Sequence, residues 1–318
     1  LARGPEWRDE RDVVSALDKL GHDIRFYPVF DEIDSLITKI KTESPDVVFC
    51  SCESVMQKRE LSHRLVGILE LLKIPFTGAG VNTLQICADK ALSKKILKYH
   101  SISAPNFLVW DGQIPLSEIE LNQLKFPVII KPLKGEGSEG IHQNSIARNY
   151  EYCTDRMQRL IEKFPDGIIV EEFIEGREVY VGIFGREQPR MLRPREFIIA
   201  KPAKSPESRS LVASFRAKWD DEYRKKHGIH TRNIRSLDRD LQKKIDRIVS
   251  QTHKALNIDG YARLDLRISS DNEIHVLEAN PNPAISRQDD FAAAAASDGI
   301  GYEELIQKIL ELGINRTA

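Results

Sequence analysis

The sequence predicts a mixed fold, α/β in its first third and α+β thereafter, and three observations predict it. Over residues 8–78, short apolar runs alternate with segments of helical spacing, the pattern of a parallel sheet wrapped by helices. The run 126–132 is β-like, ends at Lys131-Pro132, and opens into a glycine-rich stretch. Two further apolar runs, 261–266 and 274–280, flank the polar turn Ser269-Ser270-Asp271-Asn272-Glu273, which reads as an antiparallel hairpin.

Size and charge narrow the function classes. The 318 residues suffice for two or three domains with a real core. A net charge of −1 provides no global basic field for nucleic acid or an anionic membrane. No apolar run approaches a membrane span and no secretory signal is visible, so a cytoplasmic protein is expected. Cys50, Cys52, Cys87 and Cys153 form no paired C-x-x-C sites, so reduced thiols are expected rather than a disulfide or zinc scaffold. The chain starts at Leu1 with no strand before its first helix. A missing N-terminal segment, with a first strand and its functional loop, is therefore expected.

In order, residues 8–20 place Val13, Val14, Ala16, Leu17 and Leu20 at helical spacing, with Gly21 as the stop. Residues 24–29 are strand-like, 34–41 helical, 47–50 a buried strand, and 61–72 helical again. Asn82 or Thr83 can cap the next helix. Asp89-Lys90 opens a further helix, in which Lys94, Lys95 and Lys98 read as a solvated face. Residues 168–178 predict a strand, a bend and a new strand, with Glu171 and Glu178 at the rim of a cleft; an acidic exposed turn competes with that reading. Residues 189–235 are the most irregular and read as a long loop or lid carrying Lys218 and Trp219. An amphipathic helix over 237–256, capped by Ser236 or Asp238, leads into the hairpin, and helices over 292–296 and 302–312 close the chain.

Chemistry concentrates at three places. Along a strand, Arg263 shares a face with Asp265, and Glu278 with Asn280. If the strands pair, two carboxylates and an amide converge into an oxygen-only site suited to Mg²⁺ beside phosphates; a surface salt-bridge cluster around Arg263 is the competing reading. The stretch Gly135-Glu136-Gly137-Ser138-Glu139-Gly140 can bring backbone amides close to phosphates, although a plain turn competes. Directly after Lys131, a point charge plus amides suits a polyphosphate.

These segments together resemble the ATP-grasp ligases, most closely the D-alanine–D-alanine ligase branch. The resemblance runs from about residue 46 to the C-terminus. It rests on Pro75-Phe76-Thr77-Gly78, Ala88-Asp89-Lys90, Val128-Ile129-Ile130-Lys131-Pro132, the glycine loop, the run from Val170-Glu171-Glu172 to Gly176-Arg177-Glu178, Gly260-Tyr261-Ala262-Arg263-Leu264-Asp265, and Leu277-Glu278-Ala279-Asn280. It implies an ATP-grasp fold with a Rossmann-like domain at 1–88, a small subdomain at 89–172, and a large subdomain at 173–318 with lid and metal site. It also implies ATP and two Mg²⁺ ions, with Mn²⁺ as a substitute.

Carried over residue by residue, the resemblance sets Lys90 and Lys131 on the ATP phosphates, with Gly137 and Ser138 covering them. Glu171 would receive the adenine amino group, beside the backbone of Glu172 and Ile174. Glu178 would hold the ribose hydroxyls, and Lys218 would reach the γ-phosphate. Asp265, Glu278 and Asn280 would hold the metal ions. Arg263, Lys218 and Ser138 are the expected catalytic groups. The implied reaction joins a small carboxylate to an amine, an amino acid or dipeptide, through an acyl phosphate, and a homodimer is expected.

The sequence departs from the family in the substrate half. The family's His-Gly-x-x-Gly-Glu-Asp-Gly segment is replaced by residues 50–59, and after Asn280 the chain reads Pro281-Asn282-Pro283-Ala284-Ile285-Ser286-Arg287. A substrate other than plain D-alanine is therefore expected, with Arg287 as a candidate ligand for an acceptor carboxylate and a plain surface arginine as the competing reading. D-alanyl-D-alanine synthesis is the alternative, and an ATP-binding module without catalysis is the alternative of another class.

Overall fold

The computed structural model describes residues 4, 7–29, 32–56, 58, 61–135, 137–200, 212–234 and 237–316. The first third carries α1 (Arg8–Lys19), α2 (Ile33–Glu43), α3 (Ser62–Leu71), α4 (Val81–Ala88) and α5 (Lys90–Tyr99). The parallel pairing expected here is present as a single bridge, Val48 to Phe76, in which Val48 N–H donates to Pro75 O and Thr77 N–H to Val48 O. Residues 24–29 are extended without a ladder partner among the described residues. Their side chains still pack as a strand's would, because Ile24, Tyr27 and Val29 lie against buried clusters.

Two antiparallel sheets follow. The small sheet has the order β1 (Phe107–Trp110), β4 (Ile168–Glu172), β2 (Val128–Pro132), β3 (Ile146–Ala147), with α6 (Glu118–Leu121) and α7 (Tyr150–Ile161) between its strands. Its core gathers Val128, Ile130, Ile168 and Val170 against Met157 and Leu160 of α7. The large sheet is built from β5 (Arg177–Phe184), β6 (Arg190–Met191), β7 (Arg195–Ile199), β8 (Ile229–Asn233), β9 (Tyr261–Ile268) and β10 (Ile274–Pro281), in the order β10-β9-β5-β7-β8 with β6 beside β5. The apolar face of α10 (Arg239–Ala255) supplies Leu241, Ile245 and Val249 to its core. The closing helices α11 (Asp290–Ser297) and α12 (Tyr302–Ile314) pack with α1 over Tyr261 and Phe184.

Several expectations are corrected. The segment over 189–235 is not one irregular loop: β6, β7, α8 (Phe215–Trp219), α9 (Asp221–His227) and β8 occupy much of it. Its strands escaped notice because arginines interrupt the apolar alternation at 190, 195 and 232. Residues 201–211 and the side chain of Trp219 lie outside the described part. Neither Asn82 nor Thr83 caps α4. The cap position is Gly80, whose N–H donates to Asp259 Oδ1 at 2.8 Å, while the Thr83 hydroxyl, inside the helix, donates to Asn257 O at 2.6 Å. Asp89 caps α5, accepting from the N–H groups of Ala91 and Leu92. Asp238 caps α10; Ser236 lies outside the described residues.

Candidate active site

The hairpin pairs in a register that alternation alone does not dictate. Val276 stands opposite Leu266, but Glu278 stands opposite Asp265, because a bulge places one extra residue, Leu277, in β10. Without it Asp265 would face Leu277, and Glu278 would turn to the other side of the sheet. With it, Asp265 and Glu278 share a face, and Asn280 falls opposite Arg263. The expected convergence of two carboxylates and an amide is thus present.

Asp265 is buried, and Arg263 grips it with two bonds of 2.7 and 3.0 Å. The Lys218 ammonium approaches the same carboxylate to 3.8 Å. Tyr180, opposite Asp265 on β5, is a platform beneath both cations: the Arg263 guanidinium lies 4.6 Å and the Lys218 nitrogen 5.9 Å from its ring centre. Burial opposes the charge on Arg263, yet Asp265 outweighs it and raises the guanidinium pKa above its ordinary value. Burial also works against Glu278, but Lys218, Lys90 and Lys131 hold its carboxyl down at about 2.

The small sheet contributes the facing wall. Lys131 Nζ bonds Glu171 Oε2 at 2.8 Å, and Lys94 lies 3.1 Å from Glu171 Oε1. Glu171 was expected at a rim and is instead fully buried, at 0 % exposure. Burial would raise its pKa; Lys131 and Lys94 together reverse that and lower it. Lys94 corrects the reading of a solvated face, because it is 2 % exposed. It sits one turn after Lys90 on α5, so the i, i+4 relation to Lys90 was the signal that would have placed it inward. Lys90 Nζ donates to Gly135 O at 2.6 Å, anchoring the glycine loop. In that loop Gly137 and Ser138 both take a φ of 63°, and the hydroxyl-bearing Ser138 is itself buried. Glu136 lies outside the described residues.

The remaining expected residues divide. Lys131, Ser138, Glu171, Glu172, Ile174, Glu178, Lys218, Asp265 and Glu278 line one crevice between the two sheets, together with Phe173. Lys90, Gly137, Arg263 and Asn280 stand outside that lining. Glu178, also expected at the rim, is buried, and it accepts from the Tyr180 hydroxyl and from Arg267, each at 2.8 Å. The Glu172 carboxylate is already engaged: it accepts from Lys125 N–H at 2.9 Å and Asn106 Nδ2 at 3.1 Å. Tyr180 and Arg267 were not foreseen, although Arg263, Asp265 and Arg267 alternate on one face of β9.

Of the two readings of Arg287, the geometry favours the surface arginine. Its guanidinium bonds Glu303 at 2.7 Å and lies over the Tyr302 ring at 4.1 Å, on the exposed side of α12. The segment after Asn280 instead meets acidic groups, its own Asp289 and Asp9 of α1. Asp289 accepts from the N–H and hydroxyl of Ser286, and Asp9 from Ile285 N–H.

The site suits a divalent cation. Its donors are two facing carboxylates and an amide, all oxygen-bearing. Among the described residues no group of three or more His, Cys, Asp or Glu side chains is placed to hold a metal ion, so the site's third donor would have to be the amide.

Comparison with known proteins agrees with this geometry. Residues 98–311 match the model of the D-ala D-ala ligase C-terminus family. The chain belongs to the D-alanine–D-alanine ligase family. A D-alanine–D-alanine ligase of Carboxydothermus hydrogenoformans is 30 % identical over 95 % of this chain and 91 % of its own length. The D-alanine–D-alanine ligase of Bacillus anthracis, solved with ATP, superimposes with a TM-score of 0.76 at 23 % identity, covering 99 % of this chain and 94 % of its own. The VanG D-Ala:D-Ser ligase of Enterococcus faecalis gives a TM-score of 0.71 at 19 % identity, covering 97 % and 96 %. At those identities the two structures speak for the fold, which is ATP-grasp. As a member of the family the chain is an ATP-dependent ligase that joins a carboxylate to an amine. Among the described residues no helix is long and apolar enough to cross a membrane.

Proposed function

We propose that this ligase activates a small carboxylate as an acyl phosphate and joins it to an amine other than plain D-alanine. The observation that carries the reaction type is the pairing of two walls. Asp265 and Glu278 stand on the large sheet, with Arg263 bonded to Asp265 just behind, and Lys131 and Glu171 on the small one, across a shared crevice. In this reading residues 1–88, 89–172 and 173–318 are the three units, with the nucleotide between the second and third.

Lys131 and Lys90 hold the phosphates, and the glycine loop with Gly137 and Ser138 covers them. Glu171, the backbone of Glu172 and Ile174, and Glu178 bind the nucleoside. Asp265, Glu278 and Asn280 hold Mg²⁺, which when bound screens the phosphate oxygens from an incoming carboxylate. Lys218 neutralises charge on the transferring phosphoryl group, a role supported by its approach to Asp265. Arg263 faces the reacting carboxyl and stabilises the oxyanion formed when the amine attacks, a contribution on the order of 3 kcal/mol. The chain needs no nucleophile of its own, and closure of the crevice over bound substrates would exclude water from the acyl phosphate.

The substrate assignment rests on the segment after Asn280. Arg287 is engaged by Glu303, and the segment meets Asp289 and Asp9. Neither offers an acceptor carboxylate a cation. D-alanyl-D-alanine formation is the second reading, favoured by the names of the relatives. Incubation of the chain with MgATP and pairs of amino acids and small carboxylates, read by ADP release and product mass, tests both. ADP release with D-alanine alone, at the rate of the best pair, supports the second.

A further inference from the structure

Lys94 sits at the junction of the two walls without lining the crevice. Its ammonium donates to Leu277 O at 2.6 Å and stands 3.1 Å from Glu171 Oε1. Leu277 is the bulge residue, unpaired in the β9–β10 register, and its carbonyl therefore needs a donor from outside the ladder. β10 is the edge strand of the large sheet, and α5 with the residues after it covers that edge. Ser103 O accepts from Val276 N–H at 2.8 Å, one residue before the bulge. Lys94 then meets the bulge itself. A buried ammonium is costly unless paired and hydrogen-bonded; here its cost is offset by Glu171 on one side and Leu277 on the other.

We propose that Lys94 is a positioning residue: it pins the Leu277 bulge to Glu171 of the opposite sheet and so keeps Glu278 on the face of Asp265. The bulge decides which face Glu278 occupies, so a device that fixes the bulge fixes the cation site. The same ammonium sets the distance between the two walls, since Glu171 belongs to the small sheet and Leu277 to the large one. Lys95, the next residue, is exposed and has no such task.

This inference rests on the ligase reading, and its test separates the two. Mn²⁺ binding by the full chain is followed by electron paramagnetic resonance with a non-hydrolysable ATP analogue, for the wild type, Lys94→Met, Lys94→Arg and Lys95→Met. Lys94→Met is expected to weaken Mn²⁺ about tenfold or more, the usual effect of losing a partner behind a metal ligand. Lys94→Arg is expected to recover most of the affinity, and Lys95→Met to match the wild type. Should Lys94→Met not fold, Lys94→Gln keeps a donor for the Leu277 carbonyl and loses the charge; a several-fold loss is then expected. Wild-type Mn²⁺ affinity in Lys94→Met or Lys94→Gln, or an equal loss in Lys95→Met, overturns the inference. A wild type that binds no Mn²⁺ overturns the ligase reading instead.

Discussion

Asp265 and Glu278 face each other across the β9–β10 ladder only because Leu277 is an extra residue in β10. The two carboxylates would otherwise lie on opposite faces of the sheet. The proposed cation site depends on that one-residue shift.

Asp265→Asn keeps the shape and removes the charge. ADP formation with the best substrate pair is expected to fall by about 10³-fold, the scale of losing a principal electrostatic group at a reacting centre. Lys131→Ala, which also strips Glu171 of a partner, is expected to fall as far. Steady-state ADP release measures both, and near-wild-type turnover in either variant counts against the site.

Arg263→Met is expected to lower kcat by about 10²- to 10³-fold while the KM for ATP changes little, because the guanidinium acts on the transition state rather than on the nucleotide. A rise in the KM for ATP with kcat intact would move Arg263 to the nucleotide side of the crevice.

Arg287→Ala is expected to leave kcat/KM for both substrates within about twofold. Its guanidinium is occupied by Glu303 and Tyr302 on a half-exposed surface, where such pairs contribute about 0–1 kcal/mol to stability. A large rise in the acceptor KM would restore it as a substrate ligand.

Burial pushes the Asp289 carboxyl up to about 6, with the Ser286 bonds opposing and Asp9 and Asp290 adding to the rise. A raised folded-state pKa contributes stability that is full below the unfolded value near 4 and is lost as pH rises through about 6. Asp289→Asn is therefore expected to stabilise the apo chain at pH 7–8 relative to the wild type, and to change little at pH 4. Melting temperatures across that range measure it, and a variant less stable at pH 8 than the wild type contradicts the sign.

The strands of the hairpin, the Lys131 strand and the amphipathic helix α10 were legible because each carries its period and its stop residues over several turns or alternations. Convergence of Asp265, Glu278 and Asn280 was read correctly, but alternation defines faces only within one strand. The bulge that joins the two faces has no local signature in Val276-Leu277-Glu278. Lys94 was misread for a related reason: its charge alone suggests a solvated position, and although it shares the helix face of Lys90, only the buried Glu171, from a strand far along the chain, makes its burial tolerable. Strands β7 and β8 were missed because the arginines that pair with Glu196 and Asp290 break the apolar pattern.

The most direct measurement of the central claim is ADP release from MgATP, screened over paired small carboxylates and amines, with mass spectrometry of the product. The expected result is ADP release that requires both partners, with a product whose mass is their sum less one water, and a best pair other than D-alanine with itself. ATP turnover that ignores both partners, or none with any pair tried while the nucleotide binds, would contradict it.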